Sequence, residues 1–245
     1  LASLISKIPA KNRLADFPHY LMHRAEQLDN LYIFKNTEGT PENIRKFHPN
    51  IIVSSTGSAP LLPPIAGLKD RIDNENHNIY SILGMISHIN DFPKDLEGKK
   101  VVVVGGGAVG LDVVEFFADR NADISIVEMM DQIGRDLDPV SKNDTKTMMK
   151  KHNVHQLTKT ALLEVKDSSF LVRGDGEPYE LPFEYGFVCL GMRAQGQLYQ
   201  SLTEEFSSED VEIMNIGDSQ RARRIIDGTQ EGRNILTILE QKGYL

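Results

Sequence analysis

A chain of 245 residues with 40% apolar content is long enough to bury a sizeable core and to divide into two lobes. Its net charge of -8 argues against a nucleic-acid surface, which needs a basic patch or stripe. No apolar run reaches the length of a membrane span and no secretory pattern opens the sequence, so a cytoplasmic protein with neither nucleic-acid nor membrane partners is expected.

In chain order, the opening LASLISKIPAKN has no clear period and predicts a loop or a short helical turn. Leu21, Met22, Ala25 and Leu28 fall at helical spacing, which predicts a helix within residues 13–29 from about Pro18. LYIF at 31–34 predicts a strand. Thr40 as N-cap, Pro41 at the first helical position and Glu42 in the first turn predict a helix over 41–47. IIVSS at 51–55 predicts a strand that breaks into TGSAPLLPPIAGL. There Pro60, Pro63 and Pro64 make a rigid crossing segment and a candidate domain boundary. A short helix is predicted over 79–90.

The stretch KVVVVGGGAVGLDVVEFFADRNADISIVE, Lys100 to Glu128, reads as strand, glycine turn, helix and second strand. Val101 to Val104 form the continuous apolar run of a strand buried on both faces of a parallel sheet. Gly105, Gly107 and Gly110 follow on the G-x-G-x-x-G spacing. Gly105 allows the tight turn, Gly107 lets the backbone approach a pyrophosphate, and Gly110 lets the helix pack closely on the sheet. The pyrophosphate is expected at the helix N-terminus, where unpaired N–H groups and the helix dipole favour anions. Val109, Val113, Phe116 and Phe117 mark that helix's core face.

Glu128 ends the second strand. It is expected to accept hydrogen bonds from the adenosine ribose hydroxyls and to repel a 2′-phosphate, favouring NAD over NADP. Met129, Met130 and Asp131 bring no cation beside it, and Arg135 is the nearest in sequence. Gly105, Gly106, Gly107, Ala108, Val109, Gly110 and Glu128 are therefore the candidate NAD(H)-binding residues. Leu111 and Asp112 after Gly110 replace the lysine and hydroxyl residue of a P-loop, which excludes a nucleoside triphosphate site of that kind.

Further along, IGRDLDP leads into a helix predicted from about Pro139 to His152, and VHQL resembles a strand. Residues 161–190 alternate short strands with turn signals at Asp167 to Ser169 and Gly174 to Gly176, an antiparallel meander. EYGFVCLGMR then returns the chain to the parallel sheet. VEIMNIGD at 211–218 predicts a strand ending at Gly217 and Asp218, followed by a helix from about Arg224 to the C-terminus. The single cysteine, Cys189, lies in an apolar run and is expected to be a buried structural thiol. His19 and His23 are four apart on a predicted helix, but no metalloprotease pattern joins them, and no metal site is assigned. No acid, base or nucleophile is singled out, so catalytic residues stay unassigned.

STGSAP at 55–60, the GGGAVG unit with Glu128, and IGD at 216–218 together resemble the two-dinucleotide-fold flavoprotein reductases, over nearly the whole chain. More narrowly, VEMMDQIGRDLDP and FVCLGMRAQ resemble the C-terminal region of the NADH:flavin oxidoreductases related to 2-enoate reductase, 2,4-dienoyl-CoA reductase and trimethylamine dehydrogenase. The resemblance implies an α/β fold: a Rossmann-like NAD(P)H lobe with a parallel sheet and an antiparallel meander, inserted in an incomplete FAD-type lobe. The expected lobes are 74–203 for NAD(H), and 1–73 with 204–245 for part of the FAD lobe. It further implies that Asp218, beside Gly217, accepts from the FAD ribityl chain, that Thr56 and Gly57 pass close to the flavin, and that Gly191 is the matching turn of the nucleotide lobe. Without the resemblance, Asp218 reads as a helix N-cap, and Thr56 with Gly57 as a simple strand exit. Arg221, Arg223 and Arg224 read either as phosphate ligands or as a solvated charge run.

The sequence departs from that family in lacking a first strand, glycine turn and helix for the FAD pyrophosphate. The expectation is a C-terminal portion whose partners are NADH and, in the same longer polypeptide, the FAD unit and an N-terminal barrel carrying FMN and a 4Fe-4S centre. Its function would be to pass hydride from NADH to flavin for reduction of an enoate or enoyl-type substrate, with the isolated portion having little turnover. The alternative is a stand-alone dinucleotide sensor without catalysis. A disulfide reductase is disfavoured because dithiol chemistry needs a second cysteine, and a short-chain dehydrogenase because no tyrosine has a lysine four residues later.

Overall fold

The computed structural model describes residues 2–244; Leu1 and Leu245, the outer ends of the expected opening segment and closing helix, lie outside the described residues. The elements begin with helix α1 (Ala2–Ile5), a 3-10 segment (Pro9–Ala15), α2 (Asp16–Ala25) and α3 (Pro41–Arg45). Next come β1 (Ile51–Ser54), β2 (Ser58–Pro60), α4 (Leu68–Arg71), β3 (Ile79–Tyr80), α5 (Ile82–Ser87), β4 (Lys100–Val104), α6 (Ala108–Ala118) and β5 (Asp123–Val127). Then follow α7 (Pro139–Lys151), β6 (His155–Leu157), β7 (Ala161–Val165), β8 (Ser169–Arg173), β9 (Tyr179–Pro182), β10 (Tyr185–Val188), β11 (Met192–Ala194), α8 (Gln197–Glu205), β12 (Glu212–Asn215) and α9 (Ile225–Gln241).

Two compact units form, residues 1–24 with 60–191 and residues 25–59 with 192–245. The sequence alone suggests boundaries after residues 73 and 203, and packing explains the difference. Ile8, Leu68 and Ile72 are buried in the cores of the first unit, whereas Leu202 is buried with Ile52 and Phe206 in the second.

The first unit is built on a five-stranded sheet in the order β3-β10-β4-β5-β6, parallel throughout. The period of two along β4 divides its valines between two cores. Val101 and Val103 pack with Phe117, Ile124, Ile126 and Phe187, and Val102 and Val104 pack with Val127, Val165, Phe170 and Val188. Helix α6 covers the first face, and the antiparallel meander β7-β8-β9 supplies Val165, Phe170 and Val172 to the second. Both faces being covered is why β4 reads as an unbroken apolar run.

The second unit pairs β1 in parallel with β12, with Ile51 opposite Glu212 and Ser54 opposite Asn215, and joins β2 to β11. Thr40 caps α3 as expected, its hydroxyl accepting the Asn43 N–H at 3.2 Å. The Arg45 guanidinium ties α3 to α8 and the turn after it through Glu205, at 2.8 Å, and Glu209, and lies over the Phe206 ring.

Three local expectations are corrected. Residues 31–34 form no strand: β1 has β12 as its partner, and an apolar tetrapeptide without a hydrogen-bonded neighbour stays exposed, Tyr32 at 78%. Residues 79 and 80 form a strand beside β10 instead of the start of a helix, and Ser81 caps α5 by accepting the Gly84 N–H. Helix α2 begins at Asp16, ahead of Pro18, because a first-turn proline lacks only an N–H that the helix does not use.

Candidate dinucleotide site

The glycine turn sits where β4 meets α6, at the C-terminal ends of the parallel strands. Gly105 has φ +108, and a Cβ there would lie 2.2 Å from the Cys189 carbonyl oxygen, so neither conformation nor space admits a side chain. Gly110 is closed in as tightly, with a Cβ meeting the Gly105 carbonyl oxygen at 1.9 Å. Gly107 is different. It is the N-cap of α6, with φ −79, and nothing lies within 4 Å of the Cβ it lacks. Its openness leaves room for a ligand at the first turn of α6, where backbone N–H groups have no intrahelical partner.

A cavity of about 600 Å³ opens at this turn. Gly105, Gly107, Ala108, Val109, Glu128 and Gly191 all line it, so six of the residues singled out in the first unit converge on one space, while Gly106 and Gly110 shape the turn from behind. Leu61, Pro63, Ile65, Ala161, Leu162 and Leu190 give it an apolar wall. The sequence does not announce that wall, because it comes from three separated segments. One fastening is visible in the Leu61 N–H, which donates to the Gly191 carbonyl at 2.9 Å.

Glu128 lies at the end of β5 with its carboxylate already oriented. Oε2 accepts the Gly106 N–H at 2.7 Å and Oε1 accepts the Met130 N–H at 2.7 Å. Each oxygen keeps a lone pair for a further donor, such as a ribose hydroxyl. The β6–β7 turn approaches the same place: the Thr160 N–H donates to the Glu128 carbonyl at 2.9 Å, and the Lys159 N–H to that of Met130 at 2.8 Å. The fold, and not sequence proximity, thus brings the Lys159 backbone beside the residues that follow Glu128.

Cys189 lines the cavity but is 8% exposed, and burial pushes its thiol up to about 12. It is protonated at neutral pH and a poor nucleophile there, and the chain has no second cysteine to pair with it.

The remaining singled-out residues belong to the second unit. The Thr56 hydroxyl donates to the Gln195 carbonyl at 2.5 Å, and the Gly57 carbonyl accepts the Gln195 N–H at 3.0 Å. Asp218 accepts from the Ser58 hydroxyl at 3.2 Å and from the Arg223 N–H at 3.1 Å, which brings the strand exit after β1 and the turn after β12 together. Asp218 is not the N-cap of α9; that position is Arg224, whose N–H donates to the Asp227 carboxylate at 3.0 Å. The Gly217 N–H is taken up by Glu231 at 2.6 Å, and Arg223 and Arg224 pair with Glu231 and Asp227. No second glycine turn of the Gly105–Gly110 spacing occurs among the described residues of this unit. Its described residues therefore form no glycine cradle for a pyrophosphate. Among the described residues no group of three or more His, Cys, Asp or Glu stands close enough to hold a metal ion, and no helix is long and apolar enough to cross a membrane.

Several known proteins are similar to this chain in sequence or in fold. The chain is 26% identical over 258 residues to a metal reductase of Desulforamulus reducens, covering 89% of this chain and 36% of that protein. It is 24% identical to a bilirubin reductase of Mediterraneibacter gnavus, covering 94% and 34%, and 26% identical to an NADH oxidase of Thermoanaerobacter brockii, covering 78% and 28%. The chain therefore spans about a third of the length of these relatives. Its fold matches that of a 2-naphthoyl-CoA reductase with a TM-score of 0.77 at 21% identity, covering 94% of this chain and 33% of that one. It matches a histamine dehydrogenase from Rhizobium sp. 4-9 with a TM-score of 0.71 at 15% identity, covering 93% and 36%. The model of the pyridine nucleotide-disulphide oxidoreductase family matches residues 23–214, and the chain belongs to that family of pyridine-nucleotide-dependent flavoprotein oxidoreductases.

Proposed function

We propose that this chain is the NADH-binding portion of a longer flavin oxidoreductase of the 2-enoate reductase and 2,4-dienoyl-CoA reductase branch, one that reduces an unsaturated, enoate or enoyl-type substrate. The observation that carries the proposal is the cavity at Gly105 and Gly107, with Glu128 at its ribose corner and an apolar wall beyond. NADH lies there with its pyrophosphate at the first turn of α6 and its adenosine ribose at Glu128. The chain's contribution is to bind the dinucleotide and to exclude water from its reactive end with Leu61, Ile65 and Leu190; hydride transfer belongs to the nucleotide and the flavin. Thr56, Gly57, Gly217 and Asp218 are this chain's side of an FAD site whose pyrophosphate is held by a segment of the longer polypeptide. FMN and a 4Fe-4S centre belong to an N-terminal barrel of that polypeptide. The enoate branch rests on the sequence resemblance and gains support from the likeness in fold to the 2-naphthoyl-CoA reductase.

Calorimetric titration with NADH and NADPH tests the site. NADH is expected to bind about tenfold or more tightly than NADPH, since a 2′-phosphate would meet the Glu128 carboxylate. Equal or tighter NADPH binding would show that Lys159 or Arg135 governs the corner instead, and absence of NADH binding would remove the site assignment.

A further inference from the structure

Gly106, the middle residue of the glycine turn, has no part in the G-x-G-x-x-G spacing, yet it is held on every side. Its N–H donates to Glu128 Oε2 at 2.7 Å and its carbonyl accepts the Gly134 N–H at 2.7 Å. A Cβ at Gly106 would lie 3.1 Å from Glu128 Oε2 and 3.1 Å from Ile133 Cγ1, so the segment after β5 is folded back against the turn. The other Glu128 oxygen fastens the start of that segment through Met130 N–H. One carboxylate thus joins the glycine turn to the 128–134 loop.

We propose that Glu128 is the positioning residue of the glycine turn, latching Gly106, and through it the open face of Gly107, in the ligand-binding shape before any dinucleotide arrives. This rests on the dinucleotide reading above and adds to it. Three consecutive glycines lose more backbone freedom on ordering than any other triplet, and a turn left loose would charge that loss against binding. With the latch closed, the loss is met during folding. The lone pairs left on Oε1 and Oε2 still serve ribose hydroxyls, so the two roles are compatible.

Recognition and latching separate with an NAD⁺ analogue whose adenosine ribose lacks both hydroxyls. If Glu128 acts only through ribose contacts and charge, E128Q and E128A bind this analogue as tightly as the wild type or more tightly, because an anion near the pyrophosphate has gone. The latch gives the opposite sign: E128A binds it about tenfold more weakly, the scale of one or two lost hydrogen bonds, and E128Q, whose amide oxygen can still accept one of the two N–H groups, lies between E128A and the wild type. Amide exchange of the unliganded proteins, read at Gly106, is expected to be about tenfold faster in E128A than in the wild type. Equal or tighter analogue binding by E128A, unchanged Gly106 exchange in E128A, or a wild type that binds NADH but not the analogue would each overturn the latch. A wild type that binds no NADH would instead overturn the dinucleotide reading. E128Q preserves side-chain volume, and melting of both variants confirms that folded proteins are compared.

Discussion

Among the glycines of the turn, two are needed by the fold and one, Gly107, is left open for the proposed ligand, and that difference can be measured. At Gly110 an added methyl meets the Gly105 carbonyl oxygen at 1.9 Å, so the helix must move away from the sheet. Gly110→Ala is expected to cost about 1–3 kcal/mol of stability through overpacking. At Gly107 the backbone is ordinary for any residue and the methyl meets nothing. Gly107→Ala is therefore expected to keep its stability to within about 1 kcal/mol, the scale of a changed helix cap, while weakening NADH about tenfold or more by filling the approach to the pyrophosphate. Thermal melts paired with NADH titrations check both. A Gly107→Ala protein that binds NADH normally would show that the pyrophosphate lies elsewhere.

At the scale of elements, helix α6 is held at its solvent side by a clasp that the sequence does not reveal. Lys11, in the 3-10 segment, pairs with Asp112 at 3.2 Å and Glu115 at 3.0 Å, while Ile8 just before it is buried in the core of the first unit. Burial alone would lower the Lys11 amine, but the two carboxylates outweigh it and raise its pKa above the ordinary 10.5; burial raises Asp112 above 3.8 against the pull of Lys11. A raised lysine contributes its stabilisation in full below 10.5 and loses it only as pH rises through the raised value, so the clasp is intact at neutral pH. Lys11→Ala is expected to cost about 1 kcal/mol at pH 7, between the worth of an exposed pair and that of a buried one. Equal denaturant midpoints for variant and wild type would contradict it. The same helix shows where legibility ended. Its glycine turn, its apolar face and the strands beside it follow from local spacing, so residues 100–128 were readable, as were the Thr40 cap and the meander. The clasp, the Lys159 approach and the cavity wall are made by residues far apart in sequence and have no local period to betray them. LYIF failed in the other direction: its side chains favour a strand, but a strand also needs a neighbour, and composition says nothing about neighbours.

At the scale of the whole molecule, the two units have unequal means of staying folded. The first has two buried clusters on opposite faces of a five-stranded sheet, whereas the second has Ile52, Leu202 and Phe206 around a two-stranded parallel pair. Two strands with so small a core are marginal on their own. The second unit also leaves Tyr32, Phe34, Phe47, Ile225, Ile226 and Leu236 exposed, the kind of surface that the further polypeptide proposed above would cover. Local opening is therefore expected to cost less in the second unit by a few kcal/mol, a spread common among the cooperative parts of one protein. Amide exchange followed by mass spectrometry should show β1, β12 and α9 exchanging well before β4, β5 and β10, and denaturant unfolding should take more than one step. If all these elements exchanged together at the rate of global unfolding, the second unit would be as stable as the first, and the exposed apolar residues would have to be explained without a covering segment. Adding NADH provides the internal control. With the dinucleotide bound at the proposed site in the first unit, it should slow exchange in β4, β5 and the glycine turn and leave β1 and β12 unchanged.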